Sequence, residues 1–315
     1  MKAIDLTEKR IIEIVSRSFG KGESVLIGAG EDDCAVMDIG GGSLVLTTDM
    51  LHKKTDFPDM MTAAQIGWMS VAVNLSDIAS MGARPIALLF SIGLPGCTEQ
   101  EFIKELGEGM NRCASKYNVS IVGGDIDSHD ELTICGSAIG TASKDGIVRR
   151  AGAVESEILC VTGSLGGAAA GLRIALGEAS VPDSIEASLL KSLFEPEPKI
   201  NEGLVLSEFA TSMTDISDSL AISLYELSDA SGVGFLIDEE KIPIAEGVKD
   251  TFEDPLDVSI YGGGDFELLF TIKRKDVASV LKKVPCNVIG EVTSGGIALK
   301  ESGEEVGFRG YSHFK

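Results

Sequence analysis

Five short motifs set aspartate beside glycine, serine, threonine or asparagine: Gly30-Glu31-Asp32-Asp33, Thr47-Thr48-Asp49, Asn74-Leu75-Ser76-Asp77, Gly123-Gly124-Asp125 and Asp215-Ile216-Ser217-Asp218. Four of them abut apolar strands or helices, and a strand that ends in a carboxylate is a common way for α/β proteins to build a site. Taken singly, each aspartate also fits a turn or a helix cap, because its side chain bonds nearby amides. Gathered together, the carboxylates would repel and raise one another's pKa values unless cations joined them. Magnesium resolves that conflict, since it prefers oxygen ligands and takes one or two carboxylates together with substrate phosphates. The chain has no EF-hand pattern, and its three histidines leave little for an imidazole metal site. Its six cysteines show no CxxC spacing, which favours reduced, buried thiols over zinc or disulfides.

The glycines form a second theme. Gly163-Ser164-Leu165-Gly166-Gly167 falls between an apolar run and a helix of small residues. Its amides are suited to cradling phosphate, but close helix packing explains the same composition, and no lysine follows as in a P-loop. Gly262-Gly263-Gly264-Asp265 reads as a tight turn before a strand. Arg149-Arg150 is an isolated basic pair, either solvated or the cation that an ATP site requires besides metal.

The elements that must carry these residues can be read from periodicity. Helices are expected at 7–18, 62–81, 98–116, from Gly167 through Leu176, at 199–210 and at 217–230. Strands are expected at 44–48, 86–94, 119–122, 132–142, 158–162, 233–237, 267–272 and 286–290. Residues 182–198 carry three prolines and read as a connection, and 144–153 is polar and turn-rich. Asn74 and Asp77 are three apart on one helix and share a face. Strands and helices alternate in both halves, which predicts an α/β (α+β) class with two domains, 1–150 and 151–315, each a mixed sheet with helices packed on it.

Composition sets the outer limits. With 315 residues the chain is long enough for two cores, and with 44 % hydrophobic but 5 % aromatic residues those cores rest on Ala, Val, Ile and Leu. Lys plus Arg number 27 against 49 Asp plus Glu, a net charge of −22 that repels nucleic acid and anionic membranes. The longest apolar run, around Pro85 to Pro95, has the length of a buried strand and not of a membrane span. The first ten residues are charged and unlike a signal peptide, so a cytoplasmic location is expected.

As a set, Asp32-Asp33-Cys34-Ala35-Val36, Thr47-Thr48-Asp49, Asn74 through Ala83, Gly123-Gly124-Asp125 and Asp215-Ile216-Ser217-Asp218 resemble the thiamine-monophosphate kinase family of the aminoimidazole-ribonucleotide-synthetase superfamily. The ending Gly310-Tyr311-Ser312-His313-Phe314 resembles the terminus of the kinases in particular. The resemblance implies ATP as co-substrate, thiamine phosphate as acceptor, several magnesium ions and a homodimer. Carried over by position, Asp33, Thr47, Thr48, Asp49, Asp77, Asp125, Asp215 and Asp218 would bind magnesium. Gly124, Asp125, Arg150 and Ser217 would contact ATP, and Phe308 would lie against thiamine. The attacking phosphate oxygen is already ionised, so no general base is expected, in keeping with the scarcity of histidine.

The chain departs from the family pattern in a few places. Asp56 stands where a substrate-contacting histidine is usual, Gly264 replaces a substrate-contacting glutamate, and Ser219 replaces a glycine. The first motif also carries an extra residue near Glu31. An ATP-dependent enzyme of the same superfamily with another acceptor is therefore the second reading. A catalytically silent metal- or nucleotide-binding protein is the third.

Overall fold

The structure is a computed structural model that describes residues 5–143 and 146–312. His313 and Phe314 of the terminal motif, and residues 144–145 of the turn-rich stretch, lie outside the described residues. The first half comprises α1 (Glu8–Ser16), β1 (Val25–Ile27), β2 (Ala35–Asp38), β3 (Ser43–His52), α2 (Ala63–Ser80), β4 (Arg84–Leu94), α3 (Gln100–Lys116), β5 (Ser120–Ser128) and β6 (Thr133–Ala142). The second comprises β7 (Ile158–Thr162), α4 (Gly167–Ala175), α5 (Asp183–Phe194), α6 (Ile200–Leu206), β8 (Ala210–Asp215), α7 (Leu220–Ser231) and β9 (Gly234–Ile237). It continues with α8 (Val248–Thr251), α9 (Pro255–Tyr261), β10 (Leu268–Ile272), α10 (Val277–Lys283), β11 (Cys286–Thr293) and β12 (Ile297–Leu299).

Two mixed six-stranded sheets result, ordered β1-β2-β3-β6-β4-β5 and β12-β9-β11-β7-β10-β8. Only the pairs β4–β5 and β9–β12 are parallel. Strands β7 and β10 are buried on both faces, which accounts for their largely apolar composition. Cys160, Leu268 and Phe270 join a core shared with the first half, while Leu159, Val161 and Leu269 face a second core under α7.

Helix α2 stands at the centre of this arrangement. A capping box between Thr62 and Gln65 starts it, and it is buried nearly all round. It packs on β3 and β6 of one sheet and β8 of the other. Its Trp68 indole donates to the Pro196 carbonyl at 2.8 Å, a further tie between the halves.

Several elements differ from the sequence expectation. Strands β1 and β2 are short and lie among glycines and aspartates, so no alternation marks them. The expected connection at 182–198 contains the twelve-residue helix α5, because Pro182, Pro196 and Pro198 flank that helix and do not interrupt it. Helices α8, α9 and α10 are each too short for a period to show. Among the described residues no helix is long and apolar enough to cross a membrane.

Candidate active site

The C-terminal part of β3, the face of α2 and the end of β8 meet where the two sheets adjoin. Thr47 and Asp49 lie two apart on β3 and so share a face. The Thr47 hydroxyl donates to Asp77 Oδ2 on α2 at 2.5 Å. One residue earlier on the helix, Ser76 Oγ donates to Asp215 Oδ2 at the end of β8, also at 2.5 Å. Asp33, in the loop before β2, accepts Ser80 Oγ at 2.7 Å and Thr214 Oγ1 at 3.0 Å. It also takes Arg150 through Nε at 2.8 Å and through Nη2.

Asp33, Asp49, Asp77 and Asp215 therefore act on one another. Burial, then Asp49, Asp215 and Asp33, hold the Asp77 carboxyl well above the usual carboxylate range. Burial and Asp33 push Asp215 up to about 8, against the hydroxyl bond from Ser76. The buried Cys34 thiol is raised by burial and by the same four carboxylates. Burial works against the Arg150 charge, but Asp33 and Glu226 outweigh it and hold the guanidinium firmly protonated.

This donor set fits a hard divalent cation. All its donors are oxygens, buried carboxylates outnumber the one guanidinium among them, and Asn74 Oδ1 on the same helix is buried with no hydrogen-bond partner. Among the described residues, no three His, Cys, Asp or Glu side chains enclose a single point as a ready-made coordination sphere. The carboxylates share a field and not one ion's shell.

Other expected residues stand outside this group. Strand alternation turns the Thr48 side chain to the opposite face of the sheet, where its hydroxyl donates to the Gly136 carbonyl at 2.7 Å. Gly124 and Asp125 lie on the exposed edge strand β5. Register pairs Asp125 with Ser91, in the row of Cys135 and Met50, one row away from Asp49 and hence on the other face. Ser217 is exposed and Asp218 half-buried in the turn between β8 and α7. The next residue, Ser219, caps α7 by accepting from the Ile222 amide at 3.0 Å and donates to the Arg309 carbonyl at 3.0 Å. Its φ of 169° is extended, so the position does not require glycine.

Among the expected acceptor contacts, Asp56 is engaged locally. Its Oδ2 accepts from the His52 amide and the Thr55 hydroxyl, each at 2.7 Å, closing the turn after β3. Gly264 has a φ of +90°, a conformation that favours glycine, and its amide donates to the Ser217 carbonyl at 2.6 Å. Phe308 is 65 % exposed and meets Tyr225 edge-on, with ring centroids 5.3 Å apart.

The Gly163–Gly167 loop resolves towards packing. Asp265 accepts from the amides of Gly166 at 2.7 Å and Ala168 at 3.1 Å, so a carboxylate of the chain itself occupies the start of α4. Sequence reasoning also missed several supporting groups: Ser80 and Thr214 on Asp33, Asp32 accepting from the Arg150 amide at 3.1 Å, and Glu226 on the Arg150 guanidinium at 3.3 Å. Thr214 is hinted at only by its adjacency to Asp215, and Ser80 only by its place in the Asn74–Ala83 run. Nothing local marks Glu226.

Comparison with known proteins bears on this geometry. Residues 31–142 match the model for the N-terminal domain of AIR synthase related proteins, and 155–300 match the C-terminal one. A thiamine-monophosphate kinase of Methanospirillum hungatei is 41 % identical, covering 90 % of this chain and 92 % of that protein. One from Archaeoglobus fulgidus is 38 % identical over 98 % and 99 % of the two chains.

The chain belongs to the thiamine-monophosphate kinase family.

The solved structure of AaThiL complexed with AMPPCP and TMP superposes with a TM-score of 0.90, at 27 % identity over 99 % of both chains. The likeness to this kinase family thus runs through both sheets, and the carboxylate group lies at the junction between them.

Proposed function

We propose that this chain transfers the γ-phosphate of ATP to thiamine phosphate, giving ADP and thiamine diphosphate. The observation that carries the proposal is the group of Asp33, Asp77 and Asp215 with the half-buried Asp49 and a single guanidinium, in a chain similar along its length to thiamine-monophosphate kinases. Both reactants are polyanions, so transfer requires charge neutralisation and alignment more than proton removal. An oxygen of the thiamine phosphate forms the new bond to the γ-phosphorus as the bond to the β–γ bridging oxygen breaks, and ADP leaves with that electron pair.

In this reading Asp33, Asp49, Asp77 and Asp215, with Thr47, hold magnesium. Asp125, Asp218 and Thr48 complete the set from outside that group. Bound magnesium supplies charge neutralisation for the triphosphate. Arg150, Ser217, Gly124 and Asp125 contact ATP, and Phe308 with Tyr225 forms the wall against which a cationic thiazolium ring can rest.

A homodimer and a cytoplasmic setting belong to the same proposal. Strand β5 is exposed along its length, with Val122 and Ile126 uncovered, and Met50 and Leu89 reach the surface on the sheet face turned away from α2. A second copy laid on this face would cover it and bring Gly124 and Asp125 to an intersubunit site.

A different acceptor is the reading favoured by Asp56 and Gly264, of which one is consumed by its own turn and the other has no side chain. Measurement of ADP release with thiamine phosphate, thiamine and unrelated phosphate monoesters, each with magnesium and with EDTA, decides. Thiamine diphosphate formed only with magnesium supports the proposal. ADP release that thiamine phosphate does not stimulate overturns the acceptor, and undiminished turnover in EDTA overturns the metal.

A further inference from the structure

Asp33 differs from the other buried carboxylates in how completely its oxygens are used. An ionised carboxylate offers about four lone-pair directions. At Asp33 three donors crowd Oδ1, namely Arg150 Nε at 2.8 Å, Arg150 Nη2 and Thr214 Oγ1 at 3.0 Å, and Ser80 Oγ reaches Oδ2 at 2.7 Å. The side chain is 1 % exposed, so water does not compete for it. Asp77 and Asp215, by contrast, each accept one side-chain hydroxyl from the described residues. A cation that approaches Asp33 Oδ1 meets a closed shell. There it must displace a donor, and the guanidinium, which supplies two of the four donor atoms, is the only one of the three donor groups that carries charge and competes for the same negative group.

The guanidinium has a second anchor. Its Nη1 lies 3.3 Å from Glu226 Oε1 on α7, and its backbone is held independently, with the Arg150 amide on Asp32 and the Arg150 carbonyl accepting from Ser231 Oγ at 3.2 Å. The side chain can leave Asp33 without the loop moving, and it stays tethered beside the site by Glu226.

We propose that Arg150 is a displaceable guard of Asp33, paired with that carboxylate in the metal-free chain and released from it when magnesium binds. The release exposes a carboxylate to the cation and, in the same movement, a two-pronged donor to an anion. Magnesium and a triphosphate then favour each other's binding through one side chain, because each takes one half of the ion pair. This inference rests on the reading above that magnesium is the ion held by Asp33.

The test uses magnesium alone, titrated calorimetrically into the nucleotide-free full chain. Arg150→Lys keeps the charge but loses the two-nitrogen grip. It should bind magnesium roughly tenfold more tightly than the wild type, about the worth of one hydrogen bond to a charged group. Arg149→Lys makes the same exchange one residue away, where the partner is Asp32, and should leave the affinity unchanged. Should the lysine variant fail to fold, the double exchange Arg150→Met with Glu226→Gln removes one charge of each sign and carries the same expectation. Magnesium affinity no higher than wild type in a folded Arg150 variant, or an equal gain from Arg149→Lys, overturns the guard. Absence of thiamine phosphate turnover in the wild type with the affinity gain of the variant intact would instead count against the proposed acceptor, so the two failures are separable.

Discussion

Ser76 and Asp77 are chain neighbours on α2, yet they bind opposite sheets: Ser76 donates to Asp215 on β8, and Asp77 accepts from Thr47 on β3. Successive helix positions differ by about 100° in direction, so one turn of α2 can reach both sheets only if it lies between them. The spacing of Asp77 and Asp215 is thereby fixed by a single helix step and not by the packing of one domain on the other. The helix also starts from a full capping box and is buried on nearly every side, which keeps that step rigid.

Removing the Ser76 hydroxyl tests this link. Ser76→Ala leaves Asp215 buried without its donor, and the metal-free chain should lose about 1–3 kcal/mol of stability in urea unfolding. The ATP-dependent turnover should fall as well, because Asp215 is no longer oriented. Unchanged stability and unchanged turnover together would mean that the bond does not position Asp215.

Asp77→Asn should separate function from stability. The native carboxyl is raised by burial and by its three acidic neighbours, so its charge is a liability in the metal-free fold. The amide keeps the shape and removes that charge. Turnover should drop by about a hundredfold or more, as expected when a charged metal-site group is lost. The metal-free melting temperature at pH 8 should hold or rise. A clear fall in that melting temperature would assign Asp77 a structural role.

Asp215 sets a pH dependence of definite sign. Its folded pKa of about 8 lies above the ordinary 3.8, so between those values the folded chain holds a proton that the unfolded chain has lost. Stability from this group is therefore full below pH 4, declines as pH rises through the window and levels off above about 8. Melting curves in EDTA should shift down between pH 6 and pH 8. Saturating magnesium should raise the melting temperature more at pH 8 than at pH 6, and Asp215→Asn should flatten the EDTA profile. A profile in EDTA that is flat in the wild type would refute the assignment.

Asp265 provides a contrast between charge and geometry at the start of α4. Its carboxyl, pushed up to about 7 by burial against the lowering effect of the amides of Gly166 and Ala168, caps the helix. Asp265→Ala should cost about 1–2 kcal/mol, the usual loss for a removed cap, while Asp265→Asn should cost less because an oxygen acceptor remains. Equal losses in chemical denaturation would show that packing, not capping, is what this side chain provides.

These relationships mark how far the sequence could be read. Aspartates at strand ends and the Asn-Leu-Ser-Asp run were legible because each lies against an apolar element whose period is visible. The convergence of Asp33, Asp49, Asp77 and Asp215 was legible only as a conflict of charge that required cations. The face of Thr48 follows from strand alternation alone, whereas that of Asp125 depends on register and edge position, which no local pattern carries. Asp265 on the Gly166–Ala168 amides joins residues about a hundred positions apart, so the loop kept two readings until the fold was known. Asp56 reads as a replaced substrate contact, and its carboxylate also closes the turn it sits in, a role that no local pattern shows. Ser219 looked like a loss of glycine, and its extended backbone with an N-cap bond removes the need for one.

Phe308 is the acceptor-side residue whose role is separable from folding. It is 65 % exposed and touches Tyr225 by one edge, so its truncation removes little buried area. Phe308→Ala should change chain stability by less than about 0.5 kcal/mol, the range of surface substitutions. If its ring lies against the thiamine, the same change should raise the KM for thiamine phosphate several-fold while the KM for ATP stays constant, since binding energy lost equally from ground and transition states appears in KM. Tyr225→Phe keeps the edge-on ring but drops the hydroxyl that donates to the Val306 carbonyl at 2.8 Å. That variant should loosen the segment carrying Phe308 and raise the same KM by a smaller factor. Equal KM values for thiamine phosphate in wild type and Phe308→Ala would move the acceptor away from this wall, towards the cleft lined by Ser164, Lys191, Lys199 and Glu267.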